Sequence, residues 1–563
     1  MSEIRIETAK YITYINMSLN KKPVIFAAII VLGISLYSFT RYSTDYFELT
    51  RNLEIFANVY KEVNSFYYED LDHGRLMKTG IDAMLGSLDP YTVFVSENQV
   101  ERSRYMAEGR YDGVGMEIEE KEGQIVVTFV YSGFGAHDAG IMAGDIIEKM
   151  EGRELAGFER EDVIVFMRGA SGTDLEMTIY RPWEDRHFTT TVERQEVSVP
   201  NVPYSGFIDD GIAYVALSTF TPRSSQNIRS KLRELRDENG SLDGIVLDLR
   251  DNGGGLLTEA INVSNIFIPN NTLVVSTEGN LDEWNRTFET NSSPFDTETA
   301  VVILINEKSA SASEIVSGVI QDYDRGVLIG RRTYGKGLVQ NVRPLSYNTQ
   351  VRITTSEYFI PSGRGIQNVR YEDGKAVDIP DSLRAVFSTK NGREVLGGGG
   401  VAPDIEVELP ETPEVIRELK NRNLIFDYAT HFRATVDSIP PAGEFDFDRY
   451  KDFIAFVEER DFAFKLDAEK TLDELVAQAE PGLYGNDIDR QVRQIRSAIE
   501  DAKSTAFEDH RDQIIRLLED EIVSRYYFQE GKTRQNLTRD REIQEAISVI
   551  RDQERYRQIL ASE

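Results

Sequence analysis

The chain is 563 residues long, room for several domains, and sets 63 Lys plus Arg against 95 Asp plus Glu for a formal net charge of −32. A field of that sign repels nucleic acid, so no polynucleotide partner is expected. There is no Cys, and His is confined to His73, His137, His187, His431 and His510; thiol nucleophiles, disulfides and the usual zinc sites are therefore excluded, and no metal or other cofactor is expected.

The first predicted element is Pro23–Phe39, a 17-residue uncharged run at the short end of what spans a bilayer, preceded by Arg5, Lys10, Lys21 and Lys22. It predicts a cytoplasmic stub and signal-anchor helix over residues 1–41, the alternatives being a cleaved signal or a buried core helix. The protein is then expected to be single-pass in the inner (cytoplasmic) membrane, with everything after Arg41 on the periplasmic, extracytoplasmic side. Residues 42–105 carry helical apolar spacing, in YFELTRNLEIFANVYKEV and HGRLMKTGIDAMLGSL, closed by the turn DPYT.

Residues 106–196 change to short alternating strands, MEIEE, QIVVTFVY, LEMTIYR and FTTTVER, cut by glycine turns, with one helical pattern in GFEREDVIVFMRG. YDGVGMEI opens a strand with Gly113, Val114, Gly115 and Met116. Successive backbone N–H groups there can hold a peptide carboxylate while the strand edge pairs with the peptide itself. A lone G-x-G is usually an ordinary turn, but the later AGIMAGDIIEKMEGREL, Ala139–Leu155, resembles the bacterial PDZ family. That resemblance implies a domain that recognises chain ends, with protein or peptide partners that have free C-termini.

From 197 to 410 apolar runs (GIAYVAL, GIVLDLR, AVVILIN, GVLIG) alternate with helical patterns, predicting a sheet covered on both faces. Residues 411–563 read as a helical C-terminal domain with heptad-like stretches. It is a solvated helical domain, an element that joins subunits into a homo-oligomer, or one that gates access to the core.

Within the α/β region, NEKSASASEIVSGVIQ places Ser309, Ser311 and Ser313 ahead of a helix, and Ser311-x-x-Glu314 satisfies a capping box. A helix start also exposes the N–H groups that an oxyanion needs, so cap and nucleophile share one geometry. No His lies between His187 and His431, which leaves lysine or a carboxylate as the base. Of Lys231, Lys308, Lys336, Lys375 and Lys390, Lys336 follows a buried-type strand and is wrapped by glycines. GRRTYGKG nearly spells a phosphate-binding loop, but Gly337 stands where a Ser or Thr is needed and a strand pattern follows. A lysine base must be neutral, and burial can lower its pKa by as much as ~3–5 units.

SASASEIVSG, Y-G-K-G-x-V-Q with Lys336 25 positions after Ser311, ITTSEYFIPSGRGIQ and LDLRDNGGG together resemble the carboxyl-terminal processing (tail-specific) proteases. The resemblance implies a multidomain α/β protein: N-terminal membrane helix, PDZ domain, serine protease core of the ClpP/crotonase-like type, and helical C-terminal extension. It also implies Ser311 as nucleophile, Lys336 as general base and Gln340 as the residue that holds the lysine. The N–H groups of Gly254 and Ala312 are implied as the oxyanion hole, with Gly253 the nearest rival to Gly254. The expectation is a membrane-anchored endopeptidase acting on substrate tails; the alternative is an inert PDZ scaffold that binds C-termini.

Overall fold

The apolar runs of the α/β region form a six-stranded sheet, in the order Tyr204–Asp209, Ile212–Ala216, Gly244–Asp248, Ala300–Ile305, Val327–Gly330, Ile405–Glu406; the first pair is antiparallel and the rest parallel. Because side chains alternate across a strand, each central run feeds two cores at once. Ile245, Leu247, Val301, Ile303 and Leu328 face the helices Ser224–Asn239, Leu257–Phe267 and Ala312–Asp322. Val246, Val302, Leu304, Val327 and Ile329 face the other way.

That second face is covered from the end of the chain. Helices Arg541–Arg551 and Gln553–Leu560 supply Ile543, Ala546, Val549, Ile550 and Tyr556 to the same apolar cluster. An added Cβ at Gly244 would sit 2.5 Å from Ile550, so the helix rests directly on the strand. Although they belong in sequence to the helical stretch 411–563, these two helices pack as part of the α/β core. The remaining C-terminal helices, from Glu414–Asn421 to Arg511–Asn536, build a separate core around Tyr428, Phe432, Phe453, Leu518 and Ile522.

The computed structural model describes residues 47–97, 99–100, 109–372, 374–408, 410–478 and 485–561. Residues 1–84 are a unit of their own, of which the described part is a helix over 47–66 and the start of His73–Gly86, with Phe56 against Gly80. The predicted membrane segment Pro23–Phe39 lies outside the described residues, among which no helix is long and apolar enough to cross a membrane. The 42–105 stretch is not helical throughout: after the DPYT turn, Val93–Val95 is a strand that pairs with Gln350–Arg352.

Residues 110–198 form a small β domain. Its main sheet runs Met116–Lys121, Gln124–Val130, Ile146–Met150, Asp174–Arg181, Arg186–Glu193, with helix Arg160–Met167 packed against the first strand. The A-G-x-x-x-G-D run explains itself here. Fully buried Asp145 accepts from Arg181 at 2.8 and 2.7 Å, Nε to Oδ1 and Nη2 to Oδ2, and from the Met142 N–H at 2.9 Å. This domain docks on the C-terminal helices: a Cβ at Gly144 (φ +93°) would fall 2.4 Å from Thr430, and Lys121 Nζ lies 3.9 Å from the Phe426 ring centroid.

Candidate active site

The three serines of SASAS have different surroundings. Ser309 Oγ donates to Leu249 O at 2.8 Å and Ser313 Oγ to Asn252 O at 2.8 Å, and both side chains are fully buried. They stitch the loop after Ala300–Ile305 to the DNGGG loop. Ser311 is half-buried and sits immediately before the first residue of helix Ala312–Asp322, with φ +55° and ψ −109°. A non-glycine residue held in that region stores strain of about 1–3 kcal/mol, as nucleophile-bearing turns do.

Lys336 is brought to it by two side chains. Glu314 Oε2 accepts the Ser311 N–H at 2.8 Å and the Lys336 N–H at 2.9 Å, while Oε1 accepts the Gly335 N–H at 2.7 Å and the Thr333 hydroxyl at 2.6 Å. Burial pushes this carboxyl up, and the four donors pull the other way. On the opposite side, the hydroxyl of buried Tyr358 donates to Lys336 O and lies 3.3 Å from Ser311 O. One carboxylate thus joins the two residues' N–H groups and one phenol joins their carbonyls. The sequence identified Glu314 as a helix cap and gave no signal for Tyr358, since both contacts bridge residues far apart in the chain.

The flanking glycines are required by close approach. A Cβ on Gly335 (φ +86°) would stand 2.3 Å from Asn368 Cβ, and one on Gly337 2.6 Å from Gln367 N. Gln367 Oε1 accepts the Gly337 N–H at 2.8 Å, so SGRGIQ grips the lysine loop. The lysine side chain is half-buried; burial lowers its pKa, Arg352 lowers it further, and Glu314 opposes. Its Nζ lies 4.9 Å from the Tyr91 ring centroid.

Gln340 is on Leu338–Pro344, the strand beyond the loop. Its amide donates to Leu338 O at 3.1 Å and Thr354 Oγ1 at 3.4 Å, and no hydrogen bond joins it to Lys336. The role the resemblance implies for Gln340, holding the lysine, is not made by a direct hydrogen bond here, and the lysine's amine lies against an aromatic face.

Gly254 (φ +101°) presses against the nucleophile turn: a Cβ there would be 2.9 Å from Ser311 Cβ and 3.0 Å from Ala312 N. Its own N–H, however, is donated to Asn252 Oδ1 at 2.9 Å. The Ala312 and Gly253 N–H groups have no acceptor among the described residues, and Gly253 is exposed.

At the predicted carboxylate loop, Gly113, Val114, Gly115 and Met116 are all buried and lead into the edge strand Met116–Lys121. Phe134 packs on Gly115 (φ +78°), the Tyr111 ring on Gly113, and Met167 of helix Arg160–Met167 reaches the same glycine. On the free edge of the strand, Arg160 Nε donates to Ile118 O at 2.8 Å. Two cavities, of about 910 and 560 Å³, lie between this domain and the C-terminal helices, and Ser311 lines neither.

The profile of peptidase family S41 matches residues 211–380, that of a PDZ domain residues 103–180, and that of a probable PDZ-protease C-terminal helical domain residues 415–550. A carboxy-terminal-processing protease of Bartonella bacilliformis is 32% identical over 356 residues, 63% of this chain and 80% of its own. A probable CtpA-like serine protease of Staphylococcus aureus is 32% identical over 342 residues, 60% of this chain and 68% of its own. The solved photosystem II D1 C-terminal processing protease aligns with 25% identity over 63% of this chain and 92% of its own, with a TM-score of 0.35.

Proposed function

From the premise that this chain belongs to peptidase family S41, as a carboxyl-terminal processing serine protease with a PDZ domain, we propose that Ser311 is its nucleophile and Lys336 its general base. The observation that carries this reading is the double bridge: Glu314 and Tyr358 tie the peptide groups of these two residues together from both sides.

Neutral Lys336 takes the proton from Ser311 Oγ as the oxygen attacks a peptide carbonyl carbon. The carbonyl oxygen, now an oxyanion, is met by the free N–H groups of Ala312 and Gly253; Gly254 contributes the absence of a side chain beside Ser311 and Ala312. The lysine ammonium then returns its proton to the leaving amine as the C–N bond breaks. An acyl-enzyme remains, and water activated by the same lysine hydrolyses it. Burial and Arg352, which lower the lysine's pKa, support that role. Gln340 acts at one remove, through Thr354 on the neighbouring strand.

In the same proposal the substrate's terminal carboxylate is held by the N–H groups of Gly113, Val114, Gly115 and Met116, and its tail adds to the edge of Met116–Lys121 in place of the Arg160 contact. Pro23–Phe39 anchors the enzyme in the inner membrane with the protease on the periplasmic side. The core is of the ClpP/crotonase-like type, and the C-terminal helices are the surface through which copies would associate.

Ser311→Ala and Lys336→Ala, each assayed on an unstructured substrate with a free tail, should lose about 10⁴-fold or more in kcat. Cleavage at the wild-type rate by either variant would end the dyad assignment. A tail peptide added in trans should inhibit competitively if the PDZ domain captures the substrate.

A further inference from the structure

The DPYT turn, Asp89–Thr92, has no part in the dyad as described, yet it is fastened to the strand beside it. Buried Asp89 accepts the Tyr91 N–H (2.8 Å), the Thr92 N–H (2.8 Å), the Thr92 hydroxyl (2.9 Å) and the Thr354 hydroxyl (3.2 Å). Thr92 Oγ1 in turn accepts the Thr354 N–H at 3.2 Å. Val93–Val95 then pairs in antiparallel register with Arg352, Val351 and Gln350. Thr354 is also the residue to which Gln340 donates. The turn is thereby locked to the strand that carries Arg352.

The product of this docking is the position of one ring. Tyr91 presents its face to Lys336, with Nζ 4.9 Å from the centroid. Tyr371 backs it edge-on, with centroids 6.1 Å apart and hydroxyls 3.4 Å apart. A ring face attracts an ammonium and does little for a neutral amine, and the same ring excludes water from the lysine. The other titratable or charged groups around this amine are Arg352 and Tyr358 on the 350–359 strand, Glu314 on the 312–322 helix, and Tyr334 on the lysine's own loop.

Taking the dyad above as given, we propose that Tyr91 is a positioning residue for the general base: in the resting enzyme its ring face holds the protonated Lys336, and it lets the neutral amine move to Ser311, where the ammonium formed on attack is kept by the oxyanion until it protonates the leaving amine. Gln340 serves the same end indirectly, by bracing Thr354 and so the turn that bears the ring. The fold thus spends an N-terminal turn on keeping a base from the α/β core sheltered.

The test is the pH dependence of kcat and kcat/KM for a tailed peptide with Tyr91→Phe, Tyr91→Leu and Tyr91→Ala in the full chain, with thermal unfolding measured for each. Tyr91→Phe keeps the ring and should stay within about 2-fold of wild type across the profile. Tyr91→Leu keeps the apolar cover but loses the ring's attraction for the charged form, so its acid limb should move to lower pH by about half a unit to one unit, with kcat down about 3- to 30-fold and KM little changed. Tyr91→Ala admits water and should move the acid limb to higher pH. Limbs that stay put or move together in Leu and Ala, or a Phe variant as impaired as Ala, would overturn the proposal. Lys336→Ala run beside them separates the two readings. Loss of cleavage there with unmoved Tyr91 profiles refutes the positioning role alone, whereas surviving cleavage refutes the dyad.

Discussion

Glu314 and Tyr358 hold the peptide units of Ser311 and Lys336 at both ends, and the account predicts what each contact is for. Tyr358→Phe leaves the Lys336 carbonyl, inside a buried cluster, without its phenol donor; stability should fall by about 1–3 kcal/mol, with kcat reduced and KM nearly constant, as read from thermal unfolding and steady-state kinetics. Arg352 lowers the lysine's pKa by repelling its charged form, so the neutral base is available at lower pH than an ordinary lysine would allow. Arg352→Gln should therefore shift the acid limb of kcat/KM upward; a shift downward would contradict the assignment of that limb to Lys336. The proposed pair, Ser311 and Lys336, stands out in the sequence because the α/β region contains no His and the chain no Cys, which leaves few bases to choose among, and their roles follow from the family resemblance. Glu314 was legible as a cap and not as a bridge, because its bonds to Gly335 and Lys336 span more than twenty residues. The ranking of Gly254 over Gly253 rested on resemblance alone, and no sequence pattern could tell that Asn252 accepts the Gly254 N–H.

At the scale of elements, the lysine loop and the Asp145 turn have close tolerances for different reasons. Gly335→Ala would put a Cβ 2.3 Å from Asn368 at a positive φ, so the loop must move. That should cost about 1–3 kcal/mol, and the displacement of Lys336 about 100-fold in kcat. Asp145→Ala strands Arg181, whose side chain is 7% exposed, without its bidentate partner. The expected loss is about 3–5 kcal/mol in the stability of the PDZ domain, followed by urea unfolding through the fluorescence of nearby Trp183. The four central strands of the core sheet, and four of the five in the main sheet of the small β domain, were legible because alternation and continuous apolar runs are local patterns; Tyr204–Asp209, Ile405–Glu406 and Ile146–Met150 were not among them. The Val93–Val95 strand was not, since three residues after a turn carry no period and its pairing depends on a partner some 260 positions away.

For the whole molecule, the decisive feature is that the core sheet is closed by the last helices of the chain. Arg250, just before the DNGGG loop, bonds Asp248, Asp540 (2.7 Å) and Glu542, so the C-terminus is joined to the strand end that leads into the active site. A chain ending near Pro410 would expose Val246, Val302, Leu304 and Ile329 to water, at about 1.5–3 kcal/mol for each large side chain uncovered. Such a truncation should aggregate or unfold, as seen by light scattering and thermal melts; a soluble, active fragment would contradict the described packing. The heptad-like pattern of REIQEAISVIR shows an apolar stripe but not what the stripe meets, which is why the sequence left these helices outside the core.

The most direct measurement of the central claim is covalent labelling by a serine-reactive phosphonate, read by peptide mass mapping across a pH series. The account predicts a single adduct on Ser311 whose rate rises with pH along the acid limb of catalysis and collapses in Lys336→Ala. An adduct on Ser309 or Ser313, or labelling of Ser311 that is indifferent to Lys336, would contradict it.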